Sequence, residues 1–234
     1  MNLCLNTKAL VASLFVLTNV VFSVSTLAIA IEEVSVNVNA VKQELKDIIF
    51  KQKAYFANFN QVITNNDKKI LQELEGELRL LRPNYMSMKV TSPDETELLS
   101  NGKDIYSFDA MLEQVTIYSY DDSNFSSPIM LLVSEKEQIW NKYNFVKLSK
   151  DELENEKLDS NSMVYSVNTK DNSGLINSMK LYFTNDLISK VQIVEKDGKT
   201  NTYSFKNINT NEVKMVDFKF DIPEGVTVDD QRVK

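Results

Sequence analysis

Histidine is absent from all 234 residues, and cysteine occurs once, at Cys4. Without imidazole there can be no Ser-His-Asp or Cys-His nucleophile, no histidine general base and no histidine metal ligand. A single thiol forms no intrachain disulfide and no cysteine-type zinc site. Glycine is scarce, five in all, and nothing resembling a glycine-rich phosphate loop or an EF-hand is present. Basic charge is also in deficit: 26 Lys and Arg stand against 33 Asp and Glu, for a formal net charge of −7. With no basic stripe to neutralise phosphates, nucleic acid is not an expected partner, and adsorption to anionic membrane surfaces is disfavoured.

What chemistry remains is thin. Ser100-Asn101-Gly102-Lys103 fits Ser-x-x-Lys, but Asn-Gly makes it a hairpin tip and not the buried helix start that serine-lysine chemistry uses. The acidic pairs Asp94-Glu95, Asp121-Asp122 and Asp229-Asp230 fall in turns, where neighbouring carboxylates are solvated. No catalytic residue, metal site or cofactor is expected.

The first thirty residues have their own logic. One cation, Lys8, precedes the apolar run Ala9-Leu10-Val11-Ala12-Ser13-Leu14-Phe15-Val16-Leu17, and small residues lead to Ala28-Ile29-Ala30. This is the pattern of a secretory leader cleaved after Ala30, diluted by Thr18, Asn19, Ser23 and Ser25 below what a permanent span requires. Cys4 lies before the apolar run, so it is not the lipidated cysteine of a lipoprotein leader. Residues 31–234 are then expected to form one domain.

Beyond the leader, Val41, Leu45, Ile48 and Ile49 recur at helical spacing, with Asn39 a plausible cap. From Tyr55 the period falls to two, placing Tyr55, Ala57, Phe59 and Gln61 on one face. The stretch Glu75–Val90 reads as a hairpin whose turn is Arg82-Pro83-Asn84, a guanidinium at its tip. On its second arm Met86, Met88 and Val90 share a face, which suits an ordinary core or a soft surface that repacks around apolar partners. Further strands are predicted around Asn101-Gly102 and over Gln114–Tyr120. Without a crossover helix, this succession is an antiparallel meander.

The apolar run Pro128-Ile129-Met130-Leu131-Leu132 interrupts it, with a helical pattern continuing over Lys136–Tyr143. Lys150–Asn161 reads as loop or exposed helix end. Strands return at Met163–Val167, Ser178–Thr184, Ile188–Val194 and Thr202–Phe205, and Phe218-Lys219-Phe220 reads as the last. The expected class is α+β, mainly β: a long antiparallel sheet that must curl, with helices filling its concave side. An apolar surface covered when empty suits a carrier of acyl chains.

Laid out this way, the chain resembles the outer-membrane lipoprotein carrier (LolA) family. The likeness is carried by Arg82-Pro83-Asn84, Pro93-Asp94-Glu95, Ser100-Asn101-Gly102-Lys103, Glu113-Gln114, Pro128 with Met130-Leu131, and Trp140-Asn141-Lys142-Tyr143. The ending Pro223-Glu224-Gly225-Val226-Thr227-Val228-Asp229-Asp230-Gln231-Arg232 is its most specific part, while Lys150–Asn177 matches poorly. The resemblance implies an unclosed antiparallel β-barrel with an α-helical lid over an apolar cavity, no catalysis, and a periplasmic chaperone acting as a monomer. Its partners would be lipoproteins, held by their acyl chains, the inner-membrane ABC transporter that releases them, and an outer-membrane receptor. Arg82 would latch the lid. Met86, Met88, Leu98, Leu131 and Leu132 would line the cavity, and Pro128, Ile129 and Met130 would belong to the lid. An outer-membrane receptor of the same fold, or a periplasmic enzyme on a similar barrel, are the alternatives.

Overall fold

A computed structural model describes residues 39–121, 128–153, 156, 158–170 and 174–232. The expected leader and its cleavage site lie outside the described residues. Residues 39–50 form helix α1, whose Leu45 and Ile49 are buried while Lys42 and Lys46 lie on another side. The helical spacing of apolar positions thus becomes one greasy stripe.

Twelve strands follow in a single sheet. The first six, β1 (Ala54–Thr64), β2 (Ile70–Leu81), β3 (Tyr85–Ser92), β4 (Thr96–Asn101), β5 (Asp104–Asp109) and β6 (Gln114–Ser119), form the predicted meander. A second meander comprises β7 (Tyr143–Lys147), β8 (Ser162–Thr169), β9 (Ile176–Thr184), β10 (Leu187–Glu195) and β11 (Thr200–Asn209). The two join through antiparallel pairing of β1 with β11. The final strand, β12 (Thr227–Asp230), pairs with β6, giving the order β12-β6-β5-β4-β3-β2-β1-β11-β10-β9-β8-β7. The ends β12 and β7 do not pair, so the sheet is an unclosed barrel.

That order explains the lid. β6 lies next to one end of the sheet and β7 at the other, so the connection between them must traverse the sheet. It carries the 3-10 turn Pro128–Leu132, every residue of which is buried, and the short helix α2 (Glu137–Trp140). Trp140 anchors it: fully buried, its indole Nε1–H donates to the Ser134 carbonyl at 2.6 Å and its ring stacks on Phe145 at 5.3 Å.

Strand register sorts the concave face into rows. Tyr55, Leu80, Met86 and Ser100 form one, and Ala57, Leu78, Met88, Leu98 and Ser107 the next. Phe59, Gly76, Val90 and Thr96 form the third. Gly76 is needed in that row, because a Cβ there would fall on the Lys89 carbonyl oxygen and on the Phe59 ring. The Leu45, Ile49, Met86, Leu131 and Trp140 side chains belong to one hydrophobic cluster with the sheet.

Three local readings need correction. Helical structure ends at Trp140, and Tyr143–Lys147 is strand β7, because Tyr143 and Phe145 alternate into the core. Met215–Phe218 is a 3-10 turn, not strand, and Phe220 stacks on Tyr106 at 5.0 Å across the sheet's outer face. The tail contributes β12, and its pairing with β6 is parallel, an exception to the otherwise antiparallel sheet.

Candidate functional site

The β2–β3 hairpin tip meets the lid. Arg82 is only 5% exposed, its backbone N–H donating to the Lys53 carbonyl at 2.8 Å. Its Nε donates to the Leu132 carbonyl at 2.8 Å and its Nη1 to the Gln52 carbonyl at 2.7 Å. One planar fork therefore ties together the chain after α1, the hairpin and the end of the 3-10 turn. Burial draws the guanidinium down to about 10 without discharging it at neutral pH, the Tyr55 hydroxyl acting slightly the other way. Tyr55 donates to the Ile188 carbonyl at 2.6 Å, and burial raises its phenol well above the usual range.

Asn84 completes the clasp. It sits at φ 77°, a left-handed conformation that asparagine tolerates. Its N–H donates to the Val133 carbonyl at 2.9 Å, its carbonyl accepts from Ser100 Oγ at 2.6 Å, and its Oδ1 accepts from the Tyr120 hydroxyl at 2.8 Å. The Ser-x-x-Lys serine is thereby accounted for: fully buried, it supports the hairpin.

Below the tip the concave face opens into a half-open cavity of about 460 Å³, within the roughly 300–1,000 Å³ usual for ligand sites. Leu74, Met88, Val90, Leu98, Ile129 and Ile193 give it apolar walls, and Gln61 and Tyr203 add a polar spot. Asp94, Glu97 and Asp109 belong to its lining as well. Among the described residues no group of three or more carboxylates could hold a metal ion.

The helices over this face are fastened electrostatically. Lys42 and Lys46 of α1 both pair with Glu137 of α2, and Glu44 pairs with Lys147 of β7 at 2.6 Å. Hydrogen bonds from Lys42 and Lys46 hold the Glu137 carboxyl below its ordinary value, and Lys147 does the same for Glu44. Lys136 pairs with Asp121 and lies over the Tyr120 ring.

The residues singled out from sequence separate into two layers. Met88, Leu98 and Ile129 line the open cavity. Met86 is packed in the closed core with Met130, Leu131 and Leu132 of the lid turn itself, and Pro128 is also buried. Sequence reasoning did not single out Asn84, Gln61, Gly76 or Tyr203 as site residues. A glutamine continuing the apolar face of Tyr55, Ala57 and Phe59 was the available sign for Gln61.

A family model described as outer membrane lipoprotein carrier protein LolA matches residues 51–221. An outer-membrane lipoprotein carrier protein of Pectobacterium atrosepticum is 33% identical over 211 residues, covering 90% of this chain and 97% of the relative. The chain belongs to the LolA family. A second LolA relative, the outer-membrane lipoprotein carrier protein of Photorhabdus laumondii, is 31% identical over 191 residues, or 81% of this chain and 88% of that one. Among solved structures, a LolA superfamily protein from Nitrosomonas europaea is 12% identical with a TM-score of 0.43, covering 78% of this chain and 97% of the other. LolA-family proteins are non-enzymatic periplasmic chaperones.

Proposed function

We propose that this protein is a periplasmic lipoprotein carrier that takes the acyl chains of its cargo into the concave cavity. In this reading the leader is removed on export and residues 31–234 act as one monomeric domain. An inner-membrane ABC transporter releases the lipoprotein to it, and an outer-membrane receptor takes the load because it binds the chains more tightly. Arg82 is the latch of the empty state; the turn that carries Pro128, Ile129 and Met130 lifts with the lid, and Met86 on the sheet with Leu131 and Leu132 on the lid's inner side join the open cavity.

The observation that supports this best is the contact between Arg82 and Leu132. The closed lid is held to the sheet through the Leu132 and Val133 carbonyls, at Arg82 and the neighbouring Asn84, beside a cavity that already opens along Met88, Leu98 and Ile129. Such a closure covers apolar surface that would aggregate if left bare, yet it is held by few polar contacts and so can reopen. Native mass spectrometry of protein recovered from the periplasm of cells making a labelled lipoprotein tests it. A one-to-one adduct that requires the acyl chains is expected. Protein that stays empty under all conditions overturns the reading.

A further inference from the structure

The cavity is not uniformly apolar. Gln61 of β1 and Tyr203 of β11 are direct cross-strand partners on its concave side, flanked by Leu74, which pairs with Gln61, and by Val191, which pairs with Tyr203. Gln61 is 7% exposed, and its amide is oriented by a relay: Nε2 donates to Asn201 Oδ1 at 3.0 Å, and Asn201 Nδ2 donates to Glu195 Oε1 at 2.8 Å. The Tyr203 ring packs edge-on against Phe59 at 5.6 Å. Tyr203 is half-buried and lines the cavity, and no buried side-chain oxygen among the described residues lacks a hydrogen-bond partner, so a hydroxyl free to donate here is one that reaches the cavity's open space. A phenol donor on the open wall of a largely aliphatic cavity is placed to exchange water for a ligand acceptor.

We infer that Tyr203, positioned beside Gln61, is a specificity-determining residue that donates a hydrogen bond to an uncharged acyl carbonyl, the group joining an aliphatic chain to its polar head. The inference rests on the carrier reading and deepens it. The aliphatic walls of Leu74, Met88, Val90, Leu98, Ile129 and Ile193 take the chain, and the donor lies among them rather than outside the mouth. A carbonyl offers only acceptors and so matches a lone donor. Charge selects against the carboxylate of a free fatty acid: Glu195 lies close enough to act on Tyr203, and Asp94, Glu97 and Asp109 also contribute to the cavity lining. Burial, with Glu195 reinforcing it, pushes the Tyr203 phenol up to about 12, so it remains a donor throughout the neutral range.

The test compares two synthetic lipopeptides of one sequence, each bearing two C16 chains on a glyceryl thioether. In one the chains are esters and in the other they are ethers without carbonyls. Binding to the full protein and to Tyr203→Phe is followed by displacement of a fluorescent probe, with the melting temperature of each protein recorded. Phenylalanine keeps the ring contact with Phe59, so the variant is expected to fold. Wild type should favour the ester by about fivefold, the yield of one net hydrogen bond, and Tyr203→Phe should lose that preference by weakening the ester alone. Equal affinity of wild type for both forms, or a Tyr203→Phe defect shared by both, overturns the assignment while leaving the carrier reading intact. Binding of neither form by wild type defeats both.

Discussion

Replacing Arg82 by leucine should loosen the empty lid and slow the hand-over of cargo. The guanidinium donates two charge-assisted hydrogen bonds, to the Leu132 and Gln52 carbonyls, each worth about 1.5–3 kcal/mol net, so together about 3–6 kcal/mol. Burial opposes them. Drawing the guanidinium down from its ordinary value to about 10 costs about 3.5 kcal/mol at ~1.4 kcal/mol per decade. The latch therefore contributes at most about 2.5 kcal/mol, up to ~70-fold in the balance between closed and open lid. That size suits a closure which must yield to cargo. Amide exchange of residues 128–134 in the empty protein reads it directly, since the Val133 and Ser134 amides both donate to the Met130 carbonyl. In Arg82→Leu their exchange should quicken measurably, by up to about two decades. Arg82→Lys should recover part of the protection, an ammonium lacking the planar fork that serves both carbonyls at once. The loaded variant should retain its cargo when offered a receptor, because re-closure of the lid no longer offsets the acyl contacts given up. Unchanged exchange, or transfer at the wild-type rate, would refute the latch.

Three further outcomes follow from the packing. Gly76→Ala should destabilise the protein by about 1–3 kcal/mol in a urea melt, because its Cβ meets the Lys89 carbonyl and the Phe59 ring; an unchanged midpoint would mean that Phe59 can leave its place freely. Ending the chain at Pro223 removes β12 and the residue after it, so that the Thr227 and Gln231 amides no longer donate to the β6-side carbonyls of Glu113 and Ile117. The bared edge should then associate with other copies in a concentration-dependent way visible by light scattering, and a monodisperse truncated chain would count against an edge-capping role. Acid should loosen α1. Glu137 and Glu44 have folded-state values below their ordinary 4.5, so their contribution is present above 4.5 and is lost as pH falls through those lower values. Both carboxylates are substantially exposed, so each contributes at most ~0.5 kcal/mol. Protection of the amides over residues 39–50, corrected for the intrinsic pH dependence of exchange, should fall modestly as pH drops below 4.5, and much less in Lys147→Met combined with Glu137→Gln.

Sequence alone determined the class of structure and the chemistry that is impossible. The absence of histidine excludes imidazole catalysis at any fold. Alternation over Tyr55–Gln61 and Met86–Val90 fixes which side chains face inward, because a strand's period of two leaves no other choice. Arg82-Pro83-Asn84 announced its turn through local backbone preference.

Only tertiary structure decided what those faces enclose. Strand β7 is a few residues of mixed polarity, and its pairing with β8 is non-local, so the adjoining helical pattern masked it. Strand β12 exists through its partner β6 rather than its own composition, as short edge strands do. The same limit applies to the site. Arg82 reads as a solvated cation at a turn until the chain crossing the sheet brings the Leu132 carbonyl within 2.8 Å. Tyr203 and Gln61, far apart in sequence, become one polar spot only because β1 pairs with β11, a register set by the whole sheet and by no short segment of it.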